Sequence, residues 1–128
     1  MPANSDAVRR GYEAFGRGDM DGALELLADD FVWEGPDSER VPGSGTHRGK
    51  DEVRQLWQRM GSSVEDLRVE PDEFIEGEET VTVLGHTSGR GRSEFKVPFV
   101  HVWRFAGGTP TRVQTLTDTA VVADALGN

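Results

Sequence analysis

Between Phe95 and Phe105 every second residue is bulky: Phe95, Val97, Phe99, His101, Trp103 and Phe105. A period of two is that of a β-strand, so these six side chains share one face. Val100 and Val102 lie on the other face. A one-faced antiparallel sheet alternates apolar with polar residues. Here both faces are partly apolar. One face is expected to pack against helices. The other then needs its own cover, and a second copy of the chain, giving a homodimer, is the simplest candidate.

The rest of the chain supplies those helices and more strands. Ser5 or Asp6 can cap a first helix carrying Val8, Tyr12 and Phe15 at helical spacing, weakened at its end by Gly16 and Gly18. Asp19 is a good N-cap for a short second helix with Ala23, Leu24 and Leu27 on its apolar face. Phe31 to Glu34 reads as a short strand that Gly35-Pro36 stops. Residues 36–49 read as a loop, and loops of about that length often cover a site. Asp51 and Glu52 favour the start of a third helix, in which Val53, Leu56, Trp57 and Met60 form the stripe and Gly61 the end. Strands follow over Leu67 to Ile75, with Pro71 marking an edge or bulge, and over Thr80 to Ser88, Phe95 to Phe105 and Thr111 to Thr119. Val121 to Leu126 adds a helical turn. Three helices followed by an antiparallel meander give one α+β domain over residues 1–128.

Composition narrows the chemistry. Cysteine is absent, which excludes disulfides, thiolate metal sites and a Cys nucleophile. A net charge of -9 argues against nucleic acid and anionic membranes as partners. No stretch approaches the roughly 20 apolar residues of a membrane span. The N-terminal residues show neither a basic nor an apolar signal region, and the expected location is cytoplasmic. His47, His86 and His101 lack a tight ligand spacing, so no metal is expected, and no cofactor is required. Gly89-Arg90-Gly91-Arg92 precedes a strand rather than a helix and is read as a hairpin turn, not a phosphate loop.

Several segments in order carry a resemblance. They are Gly18-Asp19 with Leu26-Leu27-Ala28-Asp29-Asp30-Phe31-Val32-Trp33, then His47-Arg48-Gly49-Lys50-Asp51-Glu52-Val53, Val100-His101-Val102-Trp103-Arg104-Phe105 and Thr117-Asp118-Thr119-Ala120. The chain resembles the SnoaL-like, nuclear transport factor 2-like superfamily, which includes ketosteroid isomerases and limonene-epoxide hydrolases. The resemblance implies a cone-shaped barrel: a curved mixed or antiparallel sheet wrapped by the three N-terminal-half helices around one deep pocket. It also implies a homodimer through the convex sheet face. The isomerase pattern is broken. Gly35 stands at the carboxylate base and Gly11 at the oxyanion-hole tyrosine, with Tyr12 one position away; His101 replaces the second donor. The epoxide hydrolases' Asp-Arg-Asp constellation is also incomplete. Asp118 is its one interior carboxylate here, and Arg104 belongs to the face opposite His101.

His101 and Asp118 form the best candidate pair, on strands that neighbour each other in the meander. A carboxylate beside the imidazole would raise its pKa and make it a general acid or base near neutral pH; the alternative is a structural bond, or Asp118 capping the last helical turn. Tyr12 can offer an O–H to a carbonyl oxygen, and Glu34 is a weaker stand-in for the missing base. Trp33, Trp57 and Trp103, with Phe15, Phe99 and Leu84, can wall an apolar small-molecule pocket. His86 joins them if the preceding turn centres near residue 91, a placement that a one-residue slip reverses. Three readings follow: a cofactor-free isomerase, hydrolase or dehydratase acting on an apolar molecule; a non-catalytic module binding such a molecule; or a dimeric structural protein.

Overall fold

The computed structural model describes residues 3–128; Met1 and Pro2, within the stretch read for a secretion signal, lie outside the described residues. The elements run α1 (Asn4–Gly16), α2 (Met20–Glu25), β1 (Val32–Glu34), β2 (Thr46–Arg48), α3 (Gly49–Ser63), β3 (Glu65–Gly77), β4 (Thr80–Arg90), β5 (Glu94–Ala106), β6 (Thr109–Thr117) and α4 (Thr119–Leu126). The strands form one six-stranded sheet in the order β2-β1-β6-β5-β4-β3. β1 lies parallel to β6 and the other neighbours are antiparallel, so the sheet is mixed. It is open rather than a closed barrel, and helices cover its inner face.

Several boundaries differ from the sequence reading, for local reasons. The loop after β1 is shorter than expected because residues 46–48 pair antiparallel with β1 as β2. Gly35 packs so tightly on this loop that a Cβ there would overlap the Gly43 carbonyl oxygen. Gly43 itself holds φ +93°, a left-handed conformation that favours glycine. α3 runs through Gly61 to Ser63, since its packed stripe outweighs one glycine. α1 starts before Ser5 and Asp6, which lie inside it, so neither caps it. Asp19 does cap α2, accepting from the Gly22 N–H at 2.9 Å. The turn expected over Val121 to Leu126 is a full helix, α4, of 8 residues that begins at Thr119.

Pro71 sits in the edge strand β3, where the register against β4 shifts between Pro71 and Glu73. An extra residue there bends the strand and increases its twist. The alternation of β5 holds: Phe95, Val97, Phe99, Trp103 and Phe105 are buried on the inner face. Two apolar clusters result. The larger joins α1, α2 and α3 to the sheet around Phe31, Leu56 and Val81. The smaller joins Phe95 and Val97 to Val41, Val64 and the α4 residues Val122, Ala123 and Ala125. No helix among the described residues is long and apolar enough to cross a membrane.

Candidate functional site

Residues two apart on a strand point the same way, so β5 delivers His101 and Trp103 together to the inner face. α1 lies across that face and lowers Tyr12 between them. The Tyr12 hydroxyl is 2.6 Å from His101 Nδ1, and Trp103 Nε1–H donates to the same hydroxyl at 3.1 Å. Aromatic neighbours hold the imidazole in place: Phe99 stacks on it at 4.0 Å between centroids, and Tyr12 lies nearly parallel to it at 5.9 Å.

The proton inventory of this trio fixes the tautomer. An indole N–H can only donate, so the tyrosine oxygen accepts from Trp103. The phenolic proton then goes to His101 Nδ1, and the imidazole carries its own proton on Nε2. Nε2 has no protein partner among the described residues, and His101 lines the cavity. Burial without a neighbouring carboxylate pushes the His101 pKa from 6.5 down to about 3. The imidazole is therefore neutral at physiological pH and offers one hydrogen-bond donor. Burial also raises the Tyr12 pKa, with the Trp103 hydrogen bond a smaller, opposing effect, so the phenol keeps its proton.

Around this trio lie two adjoining pockets of about 100 and 90 Å³, the first and second lobes, which share Trp33, Met60, Thr87 and His101 in their walls. Tyr12, Phe15, Trp33, Trp57, Trp103 and His101, all expected site residues, line the first, with Leu27 and Met60. Phe99, also expected, lines the second with Phe95, Val97, Pro42 and Val122. Among the described residues no Asp or Glu lines either lobe. Trp33 Nε1–H is buried without a partner, an arrangement that costs about 1–3 kcal/mol.

Three of the expected placements are corrected. Asp118 does not join His101. His101 lies opposite Thr115, while Asp118 follows the end of β6 and caps α4, accepting from the Val121 N–H at 3.2 Å. The capping alternative is the one the geometry supports, and the imidazole pKa falls rather than rises. Asp118→Ala is accordingly expected to cost about 1 kcal/mol in urea unfolding; unaltered stability would overrule the capping role. Leu84 and His86 are corrected together. Directly opposed residues share a face, and their partners are Val100 and Pro98, on the outer side of β5. His86 pairs there with Asp72 at 2.7 Å, half exposed. Thr87, one residue on, is the β4 side chain that reaches the cavity.

Glu34 is no interior base either, since it pairs with Arg112. His47 donates to the Ser44 carbonyl at 2.9 Å, so the three histidines go to three different places, and no group of metal-ligating side chains occurs among the described residues. Sequence reasoning missed Thr87 and most of the second lobe. The alternation Val81, Val83, Gly85, Thr87 identifies the first in retrospect. Nothing in sequence separates Val41, Val64 and Val97 as cavity wall from ordinary core.

A mixed open sheet covered by helices on its inner face is the α+β cone of the nuclear transport factor 2-like class. The SnoaL-like domain model matches residues 8–113, and the chain belongs to that family. A nuclear transport factor 2-like protein of unknown function from Burkholderia pseudomallei is similar at 37% identity over 100% of both chains, with a TM-score of 0.91. TerC, crystallised with polyporic acid, is similar at 25% identity over 98% of both chains, with a TM-score of 0.89. A putative polyketide cyclase from Sinorhizobium meliloti shares the fold, at 20% identity over 91% of this chain and 95% of its own, with a TM-score of 0.72. No curated protein matches the chain.

Proposed function

We propose that the protein binds a small, largely apolar organic molecule in the cavity and fixes it through a hydrogen bond from His101 Nε2–H. The observation that carries this reading is the His101 imidazole, joined through Nδ1 to the Tyr12 hydroxyl, in a largely apolar wall. A donor in a dry site recognises an acceptor oxygen more strongly than the same donor in water. TerC, of the same fold and size, was crystallised with polyporic acid, which supports binding of a small molecule here.

A second reading is cofactor-free catalysis on such a molecule. It draws on the short Tyr12–His101 bond, through which a neutral imidazole can polarise a bound carbonyl. The cavity walls offer no carboxylate base, so binding is the stronger reading. Both use the same experiment. The purified protein is exposed to a metabolite extract and analysed by native mass spectrometry, then the bound molecule is released and identified. One retained apolar ligand per chain, lost on His101→Ala, is the expected result. A ligand recovered chemically changed identifies an enzyme. Retention that is indifferent to His101 overturns the assignment of the donor.

We also propose a homodimer through the outer sheet face. Leu84, Val100 and Leu116 stand opposite one another across β4, β5 and β6 there, and Leu116 is 51% exposed. Light scattering at micromolar protein is expected to give twice the chain mass; a monomer mass removes the proposal.

A further inference from the structure

The two lobes of the cavity meet at four shared side chains, of which His101 is the one on β5. Along β5, Trp103 lines the first lobe, Phe95, Val97 and Phe99 line the second, and His101 lines both. Trp33, Met60 and Thr87 are shared in the same way, so the divide is a ring of four residues rather than a wall. Methionine is unbranched and adapts its shape, which lets such a divide give way to a ligand.

The few polar groups of an apolar pocket fix the orientation of what binds there. Here the far ends of both lobes are apolar. The Thr115 and Thr117 hydroxyls of the second lobe are committed to the Glu34 and Pro98 carbonyls, at 3.0 and 2.9 Å. Tyr12 is committed to His101 and Trp103. Of the four residues of the divide, His101 Nε2–H, the buried Trp33 Nε1–H and the Thr87 hydroxyl have no hydrogen-bond partner among the described residues. Each lobe has room for several waters' worth of volume, since one water needs about 10–15 Å³, and so accepts a ring-sized group.

We infer that the ligand is an elongated molecule with two apolar, ring-sized ends joined through a hydrogen-bond acceptor, such as a carbonyl, and that it straddles His101 with one end in each lobe. This rests on the binding function proposed above and specifies its ligand. A ligand with its polar group at one end would leave either that group in an apolar lobe or the His101 donor unpaired, and an unpaired buried donor is costly.

Three simple probes test it by isothermal titration calorimetry: benzophenone, which has both rings and the central oxygen; diphenylmethane, which lacks the oxygen; and acetophenone, which lacks one ring. Benzophenone is expected to bind about tenfold or more tightly than acetophenone, from burial of the second ring, and about three- to tenfold more tightly than diphenylmethane, from the hydrogen bond. His101→Phe is expected to erase the preference for the carbonyl while keeping affinity for diphenylmethane. Val41→Trp, which fills the second lobe from its covering loop, is expected to bring benzophenone down to the level of acetophenone. Equal affinity for benzophenone and acetophenone in the unaltered protein overturns the two-lobe ligand but leaves the binding function standing. Equal affinity for benzophenone and diphenylmethane overturns the central acceptor. Failure of all three probes to bind overturns the binding function itself.

Discussion

Lowering the pH from 6.5 towards 3 is expected to weaken the protein by an amount that disappears when His101 is replaced by Phe. In the unfolded chain the imidazole titrates at its ordinary value of 6.5, whereas in the folded protein burial lowers that to about 3. Between these values the unfolded state binds a proton that the folded state refuses, so stability rises with pH across the window. The contribution of neutral His101 is fully present above 6.5 and is lost progressively as pH falls towards 3. At about 1.4 kcal/mol per pKa unit it amounts to something on the order of 5 kcal/mol. Surface carboxylates also respond to acid, which is why the comparison with His101→Phe matters: it subtracts everything the two proteins share. Urea unfolding of both at pH 4, 5, 6 and 7 supplies the difference. Parallel curves would mean that solvent reaches the imidazole and that the donor assigned to the cavity is an ordinary surface histidine. At the alkaline end Tyr12 acts with the opposite sign. Its raised pKa means that stability present below about 10 is lost as pH rises further.

The second large effect is expected at Phe31, which links the core to the site. It is 0% exposed, its ring lies 5.9 Å from that of Trp103, and its backbone carbonyl accepts from the Gly49 N–H that begins α3. Truncation to Ala removes a buried ring and leaves a cavity, at a cost of about 3–5 kcal/mol. For a chain of this size that lowers the melting temperature by roughly 10–20 °C. Phe31→Leu, which keeps most of the volume, is expected to cost far less. Trp103 relies on Phe31 for support on one side, so the Ala variant is also expected to loosen the indole that donates to Tyr12 and to weaken ligand binding. Thermal unfolding of the two variants checks the first expectation and ligand titration of the folded Ala variant the second. A loss of stability below about 1 kcal/mol would show that neighbouring side chains collapse into the space.

Much of the fold was legible because its signals are periodic and local. The alternation from Phe95 to Phe105 identified β5 and its inner face, and the stripe Val53, Leu56, Trp57, Met60 identified α3. The aromatic members of the site were legible for the same reason: Tyr12, Trp33, Trp57 and Trp103 occupy inward positions of amphipathic elements. Pairing was not legible. Leu84 and His86 were assigned to the wrong face because facing depends on register, and a hairpin turn of several residues leaves register undetermined by one. β2 escaped notice because three residues, Thr46 to Arg48, carry no period of their own and become a strand only beside β1.

Asp118 shows the same limit at the level of chemistry. As a carboxylate at the end of the strand next to that of His101, it had the right type for an acid–base partner, and as a residue before Thr119 and Ala120 it had the right place for a helix cap. Residue type allows both. The end of β6 and the start of α4 decide for the cap, because the side chain is then turned towards the Val121 N–H rather than along the strand. The partner of His101 turned out to be Tyr12, 89 residues away, on a helix whose docking angle no local pattern encodes.

The sequence by itself determined the α+β class and the inner face of β5, and it placed imidazole, phenol and indole side chains at inward positions, since each follows from side-chain type and period. Only the tertiary structure decided that the imidazole is neutral, which of its nitrogens is free and that it stands between two lobes. These depend on what is packed around one ring: desolvation, hydrogen-bond partners and cavity shape are sums over neighbours distant in the chain.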